Sequence, residues 1–201
     1  MTTKKLLVWG VVAGPFYVVL SLTQALTRKG FDLARHEWSL LANGDLGWIQ
    51  TGNLALTGAM VVAFAIGVRR AWAATWGPAF LGAYGVGMVA AGIFVADPRL
   101  GFPMGTPEGS LSWHGVLHMV TGGIGFLSLV AACLVVARRF GRGGRRGWTV
   151  FSLVTGIAFL AGFAGIASGS GSVALNLGFT AAILLAWTWM SALALHLYRT
   201  R

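Results

Sequence analysis

Six long apolar runs, separated by short segments that carry the charges, constrain this chain most strongly. Each run is long enough for the ~20 residues that a helix needs to cross a bilayer. The chain is 56% hydrophobic and only 10% charged, whereas a soluble domain carries about 25% charged residues. The sequence therefore predicts an all-α bundle of six transmembrane helices in one integral membrane domain over residues 1–201, with spans at roughly Leu6–Leu26, Trp48–Val68, Gly77–Ala96, Trp113–Ala137, Trp148–Ala167 and Val173–Tyr198.

The distribution of charge predicts the orientation of the bundle. Lys and Arg accumulate in cytoplasmic loops. With both termini in the cytoplasm, the cytoplasmic segments hold 11 of the 15 basic residues. The other four and all five acidic residues, Asp32, Glu37, Asp45, Asp97 and Glu108, then lie outside. We predict an N-in, C-in protein of the cell membrane, in contact with membrane lipids.

Several functional classes are excluded or disfavoured by the same residues. The net charge of +10 is spread over short clusters between apolar runs, which is not the basic stripe of a nucleic-acid binder. The single cysteine, Cys133, supports neither a disulfide framework nor a thiolate metal site. Haem is not expected, because His196 lies at the opposite membrane face from His114 and His118 and cannot share a porphyrin with them.

Two predicted extracytoplasmic loops, residues 31–48 and 96–114, exceed the usual helix connection of about 2–8 residues. Loops longer than the fold requires often carry function. The first loop also predicts a helix lying on the membrane surface, with Leu33, Trp38, Leu40 and Leu41 on its apolar side. We expect an ion pair between Arg35 and Asp97 to hold the two loops together.

Four residues near this face carry metal-binding or acid–base side chains. His114 and His118 are four apart and share a helical face, a spacing at which two imidazoles can chelate one ion. Asp97 and His36 are candidate third ligands. We predict a divalent metal such as zinc at His114, His118 and Asp97, or a catalytic group of His36, Asp97 and His118. The structural alternative makes His118 a hydrogen-bond donor between helices.

Polar residues form a stripe at the start of the second span. Gln50, Asn53 and Thr57 follow spacings of three and four, so they share a face that must be turned to the bundle interior or a wet cavity. They are either hydrogen-bonding groups between helices or the lining of a pocket, and both interpretations stay open. As substrate-binding candidates we name Arg35, which would bind an anionic head group, with Gln50, Asn53 and Trp48.

Several blocks of the sequence resemble a known family. They are Arg35-His36, Ser39, Leu41, Gly47-Trp48-Ile49-Gln50, Asn53, Ala91-Gly92-Ile93-Phe94, Asp97-Pro98 and Gly115-Val116-Leu117-His118. Their order and spacing resemble the domain of unknown function 998 family over most of the chain. The resemblance implies a six-helix bacterial membrane protein and supplies no activity. The family often has Pro after Arg-His, where this chain has Glu37.

Three functions remain open at this point. The first is a membrane enzyme acting on a lipid or isoprenoid-like substrate, through metal-assisted hydrolysis or acid-initiated chemistry with Asp97 or Asp45 as the acid. The second is a non-catalytic binder or carrier of a lipid or small hydrophobic molecule. The third is a structural subunit of a membrane assembly. The oligomeric state is not encoded in any feature we recognise.

Overall fold

The computed structural model describes residues 1–106 and 111–201. Its helices are α1 (Thr3–Thr27), α2 (Gly47–Trp72), α3 (Trp76–Ile93), α4 (Trp113–Arg142), α5 (Arg146–Ala167) and α6 (Val173–Arg199), with a short 3₁₀ helix (Trp38–Ala42) between α1 and α2. All six α-helices are long and apolar enough to cross a membrane. The predicted all-α, six-span architecture is therefore confirmed, and we treat the chain as a multi-pass membrane protein.

Helix ends follow local sequence signals. The side chain of Ser112 caps α4 by accepting a hydrogen bond from the Gly115 backbone N–H at 3.1 Å. Helix α3 ends at Ile93 because Phe94 is extended, with ψ 96°, so it stops before the predicted end at Ala96. Helix α4 instead runs past its predicted end at Ala137, and its last turn is basic, which suits the negative end of the helix dipole.

The six helices form a closed ring. Each packs against the next in chain order, and α6 packs against α1. One end of the ring, which we call the terminal end, holds both chain termini. There the Arg70 side chain donates to the Met1 carbonyl at 3.0 Å, and Arg145 Nη1 lies 2.9 Å from His196 Nε2. The opposite end, the loop end, holds residues 28–46, the described part of 94–112, and 168–172.

Close helix crossings in the ring depend on glycine. A Cβ atom on Gly58 would lie 2.5 Å from the carbonyl oxygen of Gly85, and one on Gly87 would lie 2.9 Å from Gly125 Cα. These two crossings bring α2 against α3 and α3 against α4, as small residues do in membrane bundles. A Cβ on Gly122 of α4, in contrast, would have no atom of the described residues within 4 Å.

Large apolar side chains fill the interior of the ring toward its terminal end. Phe64, Trp189 and Leu193 have no exposed surface, and the Trp189 Nε1–H donates to Ser152 Oγ at 2.9 Å. That bond satisfies the one polar atom of a buried indole. Toward the loop end, in contrast, the interior side chains surround an open cavity.

The first loop folds into the bundle rather than over it. Trp38, Leu40 and Leu41 of the 3₁₀ helix are 2%, 1% and 0% exposed. The expectation of a helix lying on the membrane surface is therefore wrong, because these apolar side chains close the mouth of the ring instead of entering lipid. Glu108, one of the five acidic residues predicted to lie on the extracytoplasmic side, falls outside the described residues.

Candidate functional site

His36 connects the two long loops at the loop end. Its Nδ1 accepts a hydrogen bond from the Asp32 backbone N–H at 2.9 Å, so Nε2 carries the proton and donates to the Leu100 carbonyl at 3.1 Å. The ring is 4% exposed and packs between Phe31 and Phe102, with centroids 5.2 and 5.6 Å away. Both nitrogens are engaged, so the catalytic role predicted for His36 has no free atom to perform it in this structure.

Arg28, which follows the last residue of α1, also contacts both loops. Its guanidinium donates to the carbonyls of Leu41 and Asn43 and lies 5.1 Å from the centroid of Phe102. Burial lowers the pKa of Arg28, and nearby Asp45 acts in the opposite direction. The partly buried cation is balanced by the two backbone carbonyls, which makes Arg28 a structural brace of the loop end.

Asp97 holds the start of α4. Its Oδ2 accepts from the Ser112 backbone N–H at 2.8 Å, and its Oδ1 accepts from Ser112 Oγ at 2.5 Å. A Cβ on Gly115 would collide with this carboxylate. The expected Arg35–Asp97 ion pair is not found. Instead, in the described part of the chain, the loops are joined by Arg99 Nη2 and Glu37 Oε1 at 3.6 Å.

The two histidines of α4 do not converge with Asp97 on one metal-binding point. His118 Nδ1 lies 3.2 and 2.8 Å from the carbonyls of Ala91 and Phe94, so Nδ1 is the donor and Nε2 is the acceptor nitrogen of the neutral ring. His114 is exposed, and its ring lies against the ring of Trp113 at a tilt of 34°. The described residues contain no group of three or more His, Cys, Asp or Glu that could hold a metal ion. His118 therefore joins α4 to α3, as in the structural alternative.

The polar stripe of α2 is a hydrogen-bonded network with α1. Asn53 Nδ2 donates to the Tyr17 carbonyl at 3.2 Å and to Ser21 Oγ at 3.1 Å, and Gln24 Nε2 donates to Gln50 Oε1 at 2.9 Å. Gln50 and Asn53 are 0% and 1% exposed. The network supports the interpretation as hydrogen bonding between helices.

The remaining predicted binding residues lie elsewhere. Trp48 is 71% exposed at the start of α2, where an interfacial tryptophan is expected. Arg35 is exposed and borders a small cavity of about 10 Å³, together with Glu37, Arg99 and Asn176. Neither residue joins Asp97 and His118 in a common pocket.

Asp97 and His118 instead line a cavity of about 630 Å³ inside the ring, which we call the ring cavity. This volume is within the ~300–1,000 Å³ typical of small-molecule sites. All six α-helices and the 3₁₀ helix contribute to its walls, although α2 contributes only Leu54 among the described residues. Tyr84 at its floor is ten residues before Phe94, so the cavity reaches roughly 15 Å below the end of α3 at 1.5 Å per residue, about half of the hydrocarbon core.

Two groups of aromatic side chains line the ring cavity. Tyr17 stacks on Trp38 with centroids 5.8 Å apart, and Trp187 lies 5.2 Å from Tyr17 and 6.0 Å from Tyr84. Across the cavity is a phenylalanine cluster with centroid separations from 5.1 to 5.7 Å, formed by Phe126, Phe159, Phe163 and Phe179. The lower part is thus suited to an apolar body.

Polar side chains line the part of the ring cavity nearest the loop end, which we call the rim. Glu37, Asp97, Arg99 and His118 all line the cavity. Trp38 Nε1 and Glu37 Oε2 are buried and have no hydrogen-bond partner among the residues described. An unpaired buried polar atom usually costs about 1–3 kcal/mol, so each of these two atoms would be stabilised by a further polar group.

The wall between α4 and α5 is thin at the loop end. After Phe159, no residue of α5 is buried by the described chain, and before Gly125 only Gly115 of α4 is buried. Met119 lines the cavity and is 54% exposed. Here the ring cavity comes close to the surface that would face lipid.

The sequence reasoning missed most of the cavity lining, including Tyr17, Glu37, Trp38, Tyr84, Arg99 and Trp187. One signal was available: Tyr17 and Trp187 lie near the middle of their spans, whereas interfacial aromatic residues lie at the ends. Aromatic residues in the middle of a span therefore indicate a role in the interior of the bundle.

Comparison with known proteins gives a family and no activity. No curated protein and no solved structure was found to match the chain. The family model described as "Protein of unknown function (DUF998)" matches residues 11–196, which include most of each of the six helices and the ring cavity. The resemblance seen in the sequence blocks is thereby confirmed, and the chain belongs to the DUF998 family of proteins of unknown function.

Proposed function

We propose that this protein is a non-catalytic binder of an amphiphilic, lipid-like molecule, whose apolar body occupies the ring cavity. The observation that carries the proposal is a cavity of about 630 Å³ with aromatic walls below and unpaired polar atoms at one rim. A lipid-like molecule has this same division into an apolar body and a polar end. Burial of that body would supply about 25 cal/mol for each Å² of apolar surface removed from water.

Binding is favoured over catalysis by the bonds that the candidate catalytic residues already make. Both oxygens of Asp97 are used to hold Ser112, and both nitrogens of His36 are used within the loops. Of the predicted catalytic group, His118 alone has a nitrogen, Nε2, without a hydrogen bond to a described residue. An acid–base mechanism usually needs two groups with separate roles.

Entry from the lipid phase would use the gap between α4 and α5. The loop-end halves of these helices bury few residues against the described chain, so a chain-like molecule can pass between them without leaving the bilayer. The 3₁₀ helix closes the route from the aqueous side with Trp38, Leu40 and Leu41. We propose a cell-membrane location with N-in, C-in topology, which puts the ring cavity in the outer leaflet; the basic terminal end supports this orientation.

The test fills the cavity at Gly122. This glycine shares a helical face with His118, Met119 and Phe126, all of which line the cavity, and its missing side chain has open space around it. The variant Gly122→Leu is compared with Gly178→Leu, which changes a similarly uncrowded glycine on the exposed side of α6.

Wild type and both variants are purified from membranes in mild detergent, and retained molecules are identified by native mass spectrometry. We expect wild type and Gly178→Leu to carry the same amphiphile and Gly122→Leu to lack it, with similar thermal unfolding for all three. An identical set of retained molecules in all three proteins, or none in wild type, would contradict the proposal.

A further inference from the structure

We infer that the polar end of the molecule in the ring cavity is an uncharged hydroxyl group, and that Trp38 and Glu37 recognise it. This inference rests on the proposed binding of an amphiphile in the ring cavity and adds the chemical class of its polar end. The two recognising residues are neighbours in the chain, at the start of the 3₁₀ helix, and both line the cavity.

The unpaired atoms have opposite hydrogen-bonding character. Trp38 Nε1 is a donor only, and Glu37 Oε2 is an acceptor only when the carboxylate is ionised. Neither has a partner in the described chain. His118 also lines the cavity, and because its Nδ1 is bonded to the carbonyls of Ala91 and Phe94, its Nε2 is the acceptor nitrogen of the ring. A group that can both accept and donate therefore satisfies this rim, and a hydroxyl does both.

The charges at the rim argue against an anionic head group. Glu37 and Asp97 are carboxylates, and the one guanidinium among the described lining residues, that of Arg99, already lies 3.6 Å from Glu37. A fatty acid or alkyl phosphate could accept from the Trp38 indole. It would meet two like charges, and in its ionised form it could not donate to Glu37.

A cationic head group fails for the complementary reason. A primary ammonium would be attracted to Glu37 and Asp97, but it has no lone pair with which to accept from Trp38 Nε1. The indole N–H would stay buried and unpaired, an arrangement that buried polar groups generally avoid. The donor and the carboxylates together thus select a neutral hydroxyl over either charged class.

The experiment uses dodecyl probes that differ only in their polar end. Terminally brominated dodecanol, dodecanoic acid and dodecylamine are titrated into the full-length protein in nanodiscs. Bromine quenches tryptophan fluorescence on close contact, and Trp38 and Trp187 in the cavity wall are the reporters, so affinities are taken from the midpoint of each titration rather than from its amplitude. The Gly122→Leu variant, in which the cavity is filled, reports only the quenching caused by probe dissolved in lipid. This quenching is subtracted from that of each other protein.

We expect the alcohol to bind at least tenfold more tightly than the acid or the amine. Replacement of the indole donor in Trp38→Phe should weaken alcohol binding roughly three- to tenfold, the effect of one hydrogen bond. Glu37→Gln should strengthen acid binding and thereby narrow the preference for the alcohol.

The possible failures are distinguishable. Equal or tighter binding of the acid or amine in wild type, or an unchanged preference in both variants, would overturn the hydroxyl inference and leave amphiphile binding standing. Absence of any quenching above the Gly122→Leu baseline, for all three probes, would overturn the proposed function itself.

Discussion

His36 Nε2 lies 3.1 Å from the carbonyl oxygen of Leu100, a residue 64 positions further along the chain. With Nδ1 accepting from Asp32, this imidazole joins two loops that are separated by α2 and α3. His36 immediately precedes Glu37 and Trp38 in the chain, so it holds these two residues in position. We therefore expect His36 to affect ligand binding through them rather than by contact with the ligand.

Replacement of His36 by Ala should destabilise the protein. The change removes two hydrogen bonds and a buried ring between Phe31 and Phe102, for an expected loss of about 2–3 kcal/mol. Thermal unfolding in detergent measures the effect. The control is Arg35→Ala at the exposed neighbouring position, which should change stability by less than about 0.5 kcal/mol. Equal stability of the two variants would refute the bridging role.

Two glycines of α4 should respond in opposite ways to alanine. Gly115→Ala pushes a methyl group into the Asp97 carboxylate and should destabilise the protein by about 1–3 kcal/mol, as overpacking does. Gly122→Ala meets open space and should be neutral or slightly stabilising. Unfolding curves recorded side by side test the contrast, and a harmless Gly115→Ala would show that Asp97 is not held where we describe it.

The polar network of α1 and α2 should contribute stability without contributing to binding. Asn53→Ala removes two N–H donors, which the Tyr17 carbonyl, Ser21 Oγ and Gln50 Oε1 share, and the acceptor of the Thr57 hydroxyl, about three hydrogen bonds in all. At about 0.6 kcal/mol for each bond in a membrane bundle, the loss is expected to approach 2 kcal/mol. Quenching by brominated dodecanol should stay at its wild-type level. Loss of quenching with unfolding unchanged would instead make Asn53 a binding residue.

The proposed topology can be tested with single cysteines in intact cells. The native Cys133 is buried and is replaced by Ala as the background. Ser170→Cys at the loop end should react with a membrane-impermeant maleimide, and Thr200→Cys at the terminal end should react only after the cells are permeabilised. The reverse pattern would invert the orientation and put the ring cavity in the inner leaflet.

Much of the fold was readable from the sequence because a bilayer imposes length and polarity on each span. The starts of α4 and α6 at Trp113 and Val173 coincide with their predicted starts. The burial of the 3₁₀ helix was not readable, because Leu40 and Leu41 would suit either a membrane surface or the interior of a ring. Only the arrangement of all six helices decides between these surroundings.

The site was harder to predict because residue type does not reveal which atoms are already bonded. His36, Asp97 and His118 are candidates in the sequence because they carry metal-binding or acid–base side chains near the same membrane face. Spacing alone could not show that His36 and Asp97 have their polar atoms engaged by loop and helix partners. The atoms left unpaired at the cavity rim belong to Trp38 and Glu37, and that distinction requires three-dimensional contacts.

The most direct test of ligand binding in the ring cavity is photo-crosslinking of the protein in nanodiscs. A dodecanol derivative carries a diazirine near the end of its chain, and the modified residues are mapped by peptide mass spectrometry. We predict adducts on Tyr17, Tyr84 and Trp187, which line the lower part of the cavity. Adducts confined to lipid-exposed side chains such as Val86, Ile157 and Leu177 would contradict the account.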